Sequence, residues 1–242
     1  MKKNNIEILH EEDTFVVVSK PSGLLSIPDR YVAQAPNLKA LLQNTIGEIY
    51  TVHRLDKDTS GVICFAKTAE AHKSLSEQFS QHETIKFYTA IVEGIPLQKE
   101  ADIDLPIIEH PRHPGRMTTA KKGMSAHSHY RVVQNWKRHT QLEVQIFTGR
   151  THQIRVHLKA IGHPLLGDAL YGRQPQFFLS SIKGKKYNVG KDDEELPLLS
   201  RTALHAHFLQ FMHPETGEPV RFSVEMPKDL RAVIQQLNKW DL

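Results

Sequence analysis

The segment Tyr50–Gly61, YTVHRLDKDTSG, places His53, Arg54, Asp56, Asp58, Thr59 and Ser60 directly before the apolar run Val62–Ala66. Three chemistries fit such a crowd. Asp58-Thr59-Ser60-Gly61 is good turn sequence, with side chains that bond nearby backbone N–H groups. Asp56 and Asp58 form Asp-x-Asp, a spacing that can hold Mg²⁺ but occurs often by chance, and Arg54 beside it disfavours a cation. The third possibility is a carboxylate nucleophile at Asp56. A free aspartate has a pKa of about 3.9 and is ionised at neutral pH. Burial raises a carboxylate by up to about 3–5 units and would quench it. A buried carboxylate nucleophile therefore needs a permanent cation nearby. Arginine suits that task because it does not deprotonate and makes forked pairs.

Arg54 is one such cation; Arg155 is the better one. It lies in Gly149–Leu158, GRTHQIRVHL, where a helix start is loaded with polar groups. Next to Ile154 and three before Leu158, Arg155 borders the apolar stripe, so its charge must find a partner or line a cleft. His152 and His157 are five apart and share no helical face, which makes them a poor zinc pair.

The elements that must position these groups follow from periodicity. Ile6–Leu9, Phe15–Val18, Val62–Ala66, Lys86–Val92, Ser128–Val133, Leu142–Ile146, Leu204–Met212 and Val220–Val224 are predicted strands. Helices are expected at Leu38–Gln43, at Thr68–Gln81 (Thr68 as cap, Ala71, Leu75 and Phe79 on one face), at Thr151–Ile161 with Thr151 as N-cap, and at Asp229–Trp240. Strands and helices intermix, which predicts an α+β fold with a mixed, largely antiparallel central sheet and flanking helices, in a single domain 1–242. Residues 173–201 read as a mobile insertion: Lys183-Gly184-Lys185-Lys186 is followed by the acidic run Asp192–Glu195, with little periodicity.

Net charge is +4 over 242 residues, but it is segregated. Residues 1–109 carry 11 Lys/Arg against 16 Asp/Glu, whereas 110–160 carry 10 Lys/Arg, a single acid (Glu143) and seven of the 15 histidines. A block of that kind suits a polyanion such as RNA. Arg112, Arg116, Lys121, Lys122, Lys137 and Arg138 are the candidate contacts to an RNA backbone. No apolar run is long enough to span a membrane. The N-terminus lacks the apolar stretch of a signal peptide. The lone Cys64 sits in an apolar run and fits a reduced, cytoplasmic chain, with a monomer as the default state.

The block HRLDKDTSG followed by an apolar strand resembles the signature of the RluA-type RNA pseudouridine synthases. Four further blocks resemble that family, in its order: VVVSKPSGLLSIPDR (Val16–Arg30), KFYTAIVEG (Lys86–Gly94), GRTHQIRVHLKAIGHPLLGDALYG (Gly149–Gly172) and LHAHFLQFMHPETGE (Leu204–Glu218). The resemblance implies the pseudouridine synthase fold and isomerisation of uridine to pseudouridine in structured RNA, ribosomal or transfer, with no cofactor and no metal. It implies that Asp56 is the catalytic aspartate, that Tyr88 is the active-site tyrosine, and that Arg155 is the arginine that pairs with the aspartate. Arg54 matches the arginine that helps hold the everted nucleotide. His53, Lys20, Arg150, Gln153 and Ile154, within the same blocks, are the further expected substrate-binding residues; Lys20, between a strand and Pro-Ser-Gly, has support of its loop as the alternative role. The chain is most similar to the family's short members, in which no RNA-binding S4 domain precedes the first catalytic strand. A non-catalytic RNA-binding or chaperone role for the same fold, and metal-dependent chemistry at Asp56 and Asp58, are the competing functions.

Overall fold

A computed structural model describes residues 6–29, 32, 34–188 and 194–242. In chain order the elements are β1 (Glu7–Glu11), β2 (Phe15–Lys20), α1 (Leu38–Ile46), β3 (Tyr50–Thr51), β4 (Ser60–Ala66), α2 (Ala69–Ser80), β5 (Ile85–Glu93), β6 (Glu100–Asp104), β7 (Ile107–Glu109), β8 (Met117–Thr119), β9 (His127–Asn135), β10 (His139–Ile146), α3 (Gln153–Ala160), α4 (Ser180–Lys183), β11 (Leu204–Met212), β12 (Pro219–Ser223) and α5 (Lys228–Trp240). The chain resolves into two compact units, Met1–Tyr88 with His205–Glu225, and Thr89–Leu204 with Met226–Leu242.

In the first unit the strand order is β1-β2-β4-β11, with β3 beside β4 and β12 beside β11. These pairs are antiparallel except β4 with β11, which is parallel at Ser60–His205 and Gly61–Ala206. The run Phe15–Val18 and all seven residues of β4 are buried, as expected of continuous apolar strands inside a sheet. Gly61, which closes the signature block, has φ +126°, and a Cβ there would lie 2.1 Å from the Ala206 carbonyl oxygen. Only glycine permits that approach of β4 to β11. Thr68 caps α2 by accepting the Ala71 N–H, and Ala71 and Leu75 enter a core with Phe15, Val17, Cys64 and Phe211.

In the second unit β5, β10, β9 and β6 lie in that order, and β7 pairs with β8 as a separate hairpin. The sheet is thus mixed and mostly antiparallel, with helices packed on it. Two departures from sequence expectation bear on the site. Helix α3 starts at Gln153 rather than Thr151, and its N-cap is His152 in the left-handed region (φ 56°), with no capping side chain on that residue. The Gln153 side chain instead accepts the Arg150 N–H and the Thr148 hydroxyl, so the turn is closed from inside the helix. The described residues of 173–201 are anchored rather than loose. Phe177, Ile182 and Leu199 are buried in a core with Trp136, Leu230, Val233 and Leu237, and Phe177 and Leu199 exchange backbone hydrogen bonds. Three scattered apolar side chains do this without any periodicity that a sequence pattern could reveal. Asp192 and Asp193 of the acidic run lie outside the described residues.

Candidate active site

Asp56 sits half-buried in the loop between β3 and β4. The loop is held by its backbone. The Ser26 hydroxyl donates to the Leu55 carbonyl and accepts the Leu55 N–H; the Ser22 hydroxyl donates to the Asp58 carbonyl; and the Gly23 N–H donates to the Lys57 carbonyl. The Thr59 N–H closes a turn onto the Asp56 carbonyl. Leu55 and Thr59 are buried on either side. The block Lys20–Ser26 thus clamps the main chain on both sides of Asp56.

Tyr88 on β5 is buried, and its hydroxyl feels the Asp56 charge. Burial and then Asp56 push the phenol above the ordinary tyrosine range, so at neutral pH it is a proton donor and not a phenolate. Lys86, two residues earlier on the strand, is also buried, with its ammonium 5.5 Å from the Phe79 ring centre; burial lowers it to about 8.

Two residues expected to bind substrate are engaged with the scaffold. Lys20 is fully buried, and its ammonium donates to the carbonyls of Pro21 (3.0 Å), Leu24 (2.7 Å) and Lys57 (2.9 Å). A buried ammonium needs such oxygens, and here they fix the loop that carries Asp56. His53 stacks on Phe79 with ring centres 4.3 Å apart, and its Nε2 accepts the Cys64 N–H at 3.0 Å. Burial, with Lys86 adding to it, pushes the imidazole down from 6.5 to about 3. His53→Phe keeps the stack but leaves a buried N–H without an acceptor, an expected loss of about 1–3 kcal/mol. The sign with pH is definite. The folded form resists protonation, so wild-type stability falls as pH drops from about 6.5 towards 3, and His53→Phe removes that part of the slope. Urea melts between pH 7 and pH 4 check both; unchanged stability with weakened RNA binding would return His53 to substrate. Arg54 is exposed and remains open to RNA.

In the second unit Arg155 is buried and bound by Asp168, Nε to Oδ2 at 2.7 Å and Nη2 to Oδ1 at 2.8 Å. Asp168 is fully buried and also accepts the N–H groups of Leu170 and Tyr171. Burial raises its carboxyl, but the Arg155 fork and the two N–H bonds outweigh that and hold it below the usual range. The Tyr171 ring lies 5.0 Å from the guanidinium carbon, and its hydroxyl bonds the Met117 N–H and His152 Nδ1. The arginine is therefore fixed in orientation before any substrate arrives. Neither Asp168 nor Tyr171 was singled out from sequence; the signal was present in LLGDALYG, where an acid sits between two glycines in an otherwise apolar stretch.

Gln153 and Ile154 are engaged with the scaffold as Lys20 is. Gln153 is buried and donates to the His127 carbonyl and the Ser128 hydroxyl besides its two turn contacts, and Ile154 is core. Arg150 is half-exposed and donates to the Ser125 carbonyl. All six expected backbone-contact cations are exposed. Arg112 and Arg116 stand on the β7–β8 hairpin and Lys121 and Lys122 just after it; Lys137 and Arg138 form the β9–β10 turn. Between the hairpin and α3 is a cavity of about 370 Å³, lined by Arg116, Lys159, His110, His113 and Tyr171 and by no acid. Such a lining suits phosphate. No group of three or more His, Cys, Asp or Glu among the described residues could hold a metal ion.

A family model described as RNA pseudouridylate synthase matches residues 14–160. The ribosomal large subunit pseudouridine synthase D of Xanthomonas campestris pv. campestris is 38% identical over 97% of this chain and 70% of its own length. An uncharacterized RNA pseudouridine synthase of Aquifex aeolicus is 38% identical, over 97% and 73%. The solved structure of human RNA pseudouridylate synthase domain containing 4 superposes with a TM-score of 0.74 at 24% identity, over 96% of this chain and 93% of that one, which is a likeness of fold.

Proposed function

The chain belongs to the RNA pseudouridylate synthase family, and on that premise we propose that Asp56, Tyr88 and Arg155 act together in converting uridine to pseudouridine in large-subunit ribosomal RNA. The chain is an enzyme, and its reaction class is isomerisation of uridine within RNA. The C1′–N1 bond breaks, the uracil turns, and a C1′–C5 bond forms. The proton lost from C5 is balanced by one gained at N1, so nothing is oxidised or reduced.

The observation that carries the assignment of roles is the clamped Asp56 loop beside a phenol held neutral. Asp56 attacks C1′, as a retaining glycosidase carboxylate does, or removes a ribose proton to give a glycal-like intermediate. In either route Tyr88 stacks on uracil or donates its proton; a base role would need the phenolate that burial and Asp56 both disfavour. Once the new C–C bond has formed, Asp56 is the carboxylate available to take the C5 proton. Arg155 supplies the permanent cation, oriented by Asp168.

Everting the nucleotide costs a few kcal/mol. The cations of the β7–β8 hairpin offset that through phosphate contacts. Ribosomal RNA is favoured because the similar enzyme of Xanthomonas is named for the large subunit. No helix among the described residues is long and apolar enough to cross a membrane, and we place the enzyme in the cytoplasm with its RNA. Purified chain incubated with total RNA from cells lacking its gene, followed by pseudouridine mapping, is expected to add the modification at defined uridines of large-subunit RNA. New sites confined to another RNA would overturn the target, and no new site in any RNA would remove the role.

A further inference from the structure

We propose that the second unit carries a nucleotide-binding pocket walled in part by residues 173–181, a stretch outside the blocks that resemble the family's motifs. A half-open cleft of about 690 Å³ lies between the end of β5, the β9–β10 turn and residues 173–181. That volume lies in the usual range for small-molecule sites, about 300–1,000 Å³. Asp56, Tyr88 and Arg155 are not among its lining residues.

The lining matches the parts of a nucleotide. Phe178, partly exposed and backed by the buried Phe177, offers aromatic surface for a base, and Gln174 and Gln176 offer amides that can read its edge. Lys137, Arg138 and Arg173 stand at the same cleft for the phosphate. Two of the cations are held in place. Arg138 is bonded through its Nε and its backbone N–H to the buried Asp241 carboxylate, at 3.1 and 3.0 Å, and through Nη2 to the Ser181 carbonyl at 2.8 Å. Arg173 is paired with Glu93 at 3.1 Å. His139 is tied to the same Asp241 at 2.7 Å and meets the Phe177 ring edge-on at 5.5 Å. One carboxylate thus orders a cation and a ring on the cleft wall. An ordered site loses less freedom on binding than a loose one. The lining itself holds three cations against one acid, Glu93, with Asp241 and Glu195 bonded behind the wall, so the cations are the groups presented to a phosphate.

The nucleotide could be one unit of the substrate RNA, unstacked from its neighbours, or a free mononucleotide. The choice of RNA as polymer rests on the synthase reading; the pocket itself does not. The full chain, isotope-labelled, would be titrated with uridine and adenosine 5′-monophosphates and separately with a large-subunit RNA fragment, following the amides of Lys137–His139 and Gln174–Ser181. Saturable shifts there are expected, weakened at least about tenfold by Phe178→Ala combined with Lys137→Glu, since base stacking and a phosphate contact are both lost. Shifts with RNA, and with mononucleotide only at millimolar concentration, assign an RNA nucleotide; micromolar mononucleotide binding with RNA affinity untouched by the variant assigns a free one. If none of these amides responds to any of the three probes, or if the double variant binds as wild type does, the pocket is not a nucleotide site. That result is read at these residues, so it is distinct from a failure of turnover at Asp56.

Discussion

Asp56→Asn is expected to reduce uridine isomerisation to background, a loss of about four orders of magnitude or more, while leaving RNA affinity and the melting temperature close to wild type. The size follows from chemistry: an amide neither attacks C1′ nor removes a proton, and removing a nucleophile outright takes away most of a rate enhancement. The selectivity follows from the clamp. Lys20, Ser22, Gly23 and Ser26 bond the main chain of Leu55, Lys57 and Asp58, so these backbone bonds hold the loop. The isosteric amide should therefore sit in an undisturbed loop. Release of tritium from RNA labelled at uracil C5 reads the reaction directly, because that C–H bond breaks only on isomerisation. Turnover retained in Asp56→Asn would end the nucleophile-or-base assignment. A wild-type chain that binds RNA and releases no tritium would establish the binding-module alternative. Tyr88→Phe is a milder companion, since a ring able to stack on uracil survives and only the hydroxyl is lost.

Much of this site was legible in the chain, and the part that was not has a common physical cause. The strands Phe15–Val18 and Val62–Ala66 and the cap at Thr68 are local properties, and the structure shows them where periodicity and capping rules place them. His53, Lys20 and Gln153 share a structural use that their place in the motifs does not announce. A polar residue next to a reactive one looks like part of the reaction, yet a crowded loop also creates buried N–H and C=O groups that demand partners. His53 answers the Cys64 N–H, Lys20 answers three carbonyls, and Gln153 answers the turn before α3. Sequence does not separate these uses, because the demand arises from segments far along the chain: Lys57 is 37 residues from Lys20. Thr151 is not the cap, because α3 begins at Gln153 with His152 in the N-cap position, and the Gln153 amide oxygen takes the Arg150 N–H. Asp168 was missed because its bond to Arg155 spans 13 residues and a helix end, a relation with no period.

That missed pair supports the second large effect. Asp168→Asn removes the charge that balances Arg155 while both groups are buried, and breaking a buried pair from one side costs about 3–5 kcal/mol. Natural domains have about 5–15 kcal/mol in all, so the single variant should melt far below wild type and lose most of its turnover. Loss of activity through partial unfolding would be uninformative by itself, and a second variant resolves it. Adding Arg155→Met to Asp168→Asn leaves no unpaired charge, and the asparagine oxygen can still accept the Leu170 and Tyr171 N–H groups that meet Oδ1 in the fold; replacing a buried ion pair in this way is often neutral for stability. The double variant should regain much of the lost stability and none of the turnover, because the oriented cation is gone. Recovery of activity along with stability would show Arg155 and Asp168 to be scaffold only. Acid adds an independent check. The Asp168 carboxyl sits below its ordinary 3.8 in the fold, so its stabilisation is complete above about pH 4 and declines as pH falls further. Wild type should therefore lose stability more steeply than the double variant below pH 4, and parallel curves would mean that the Arg155–Asp168 pair does not hold in solution.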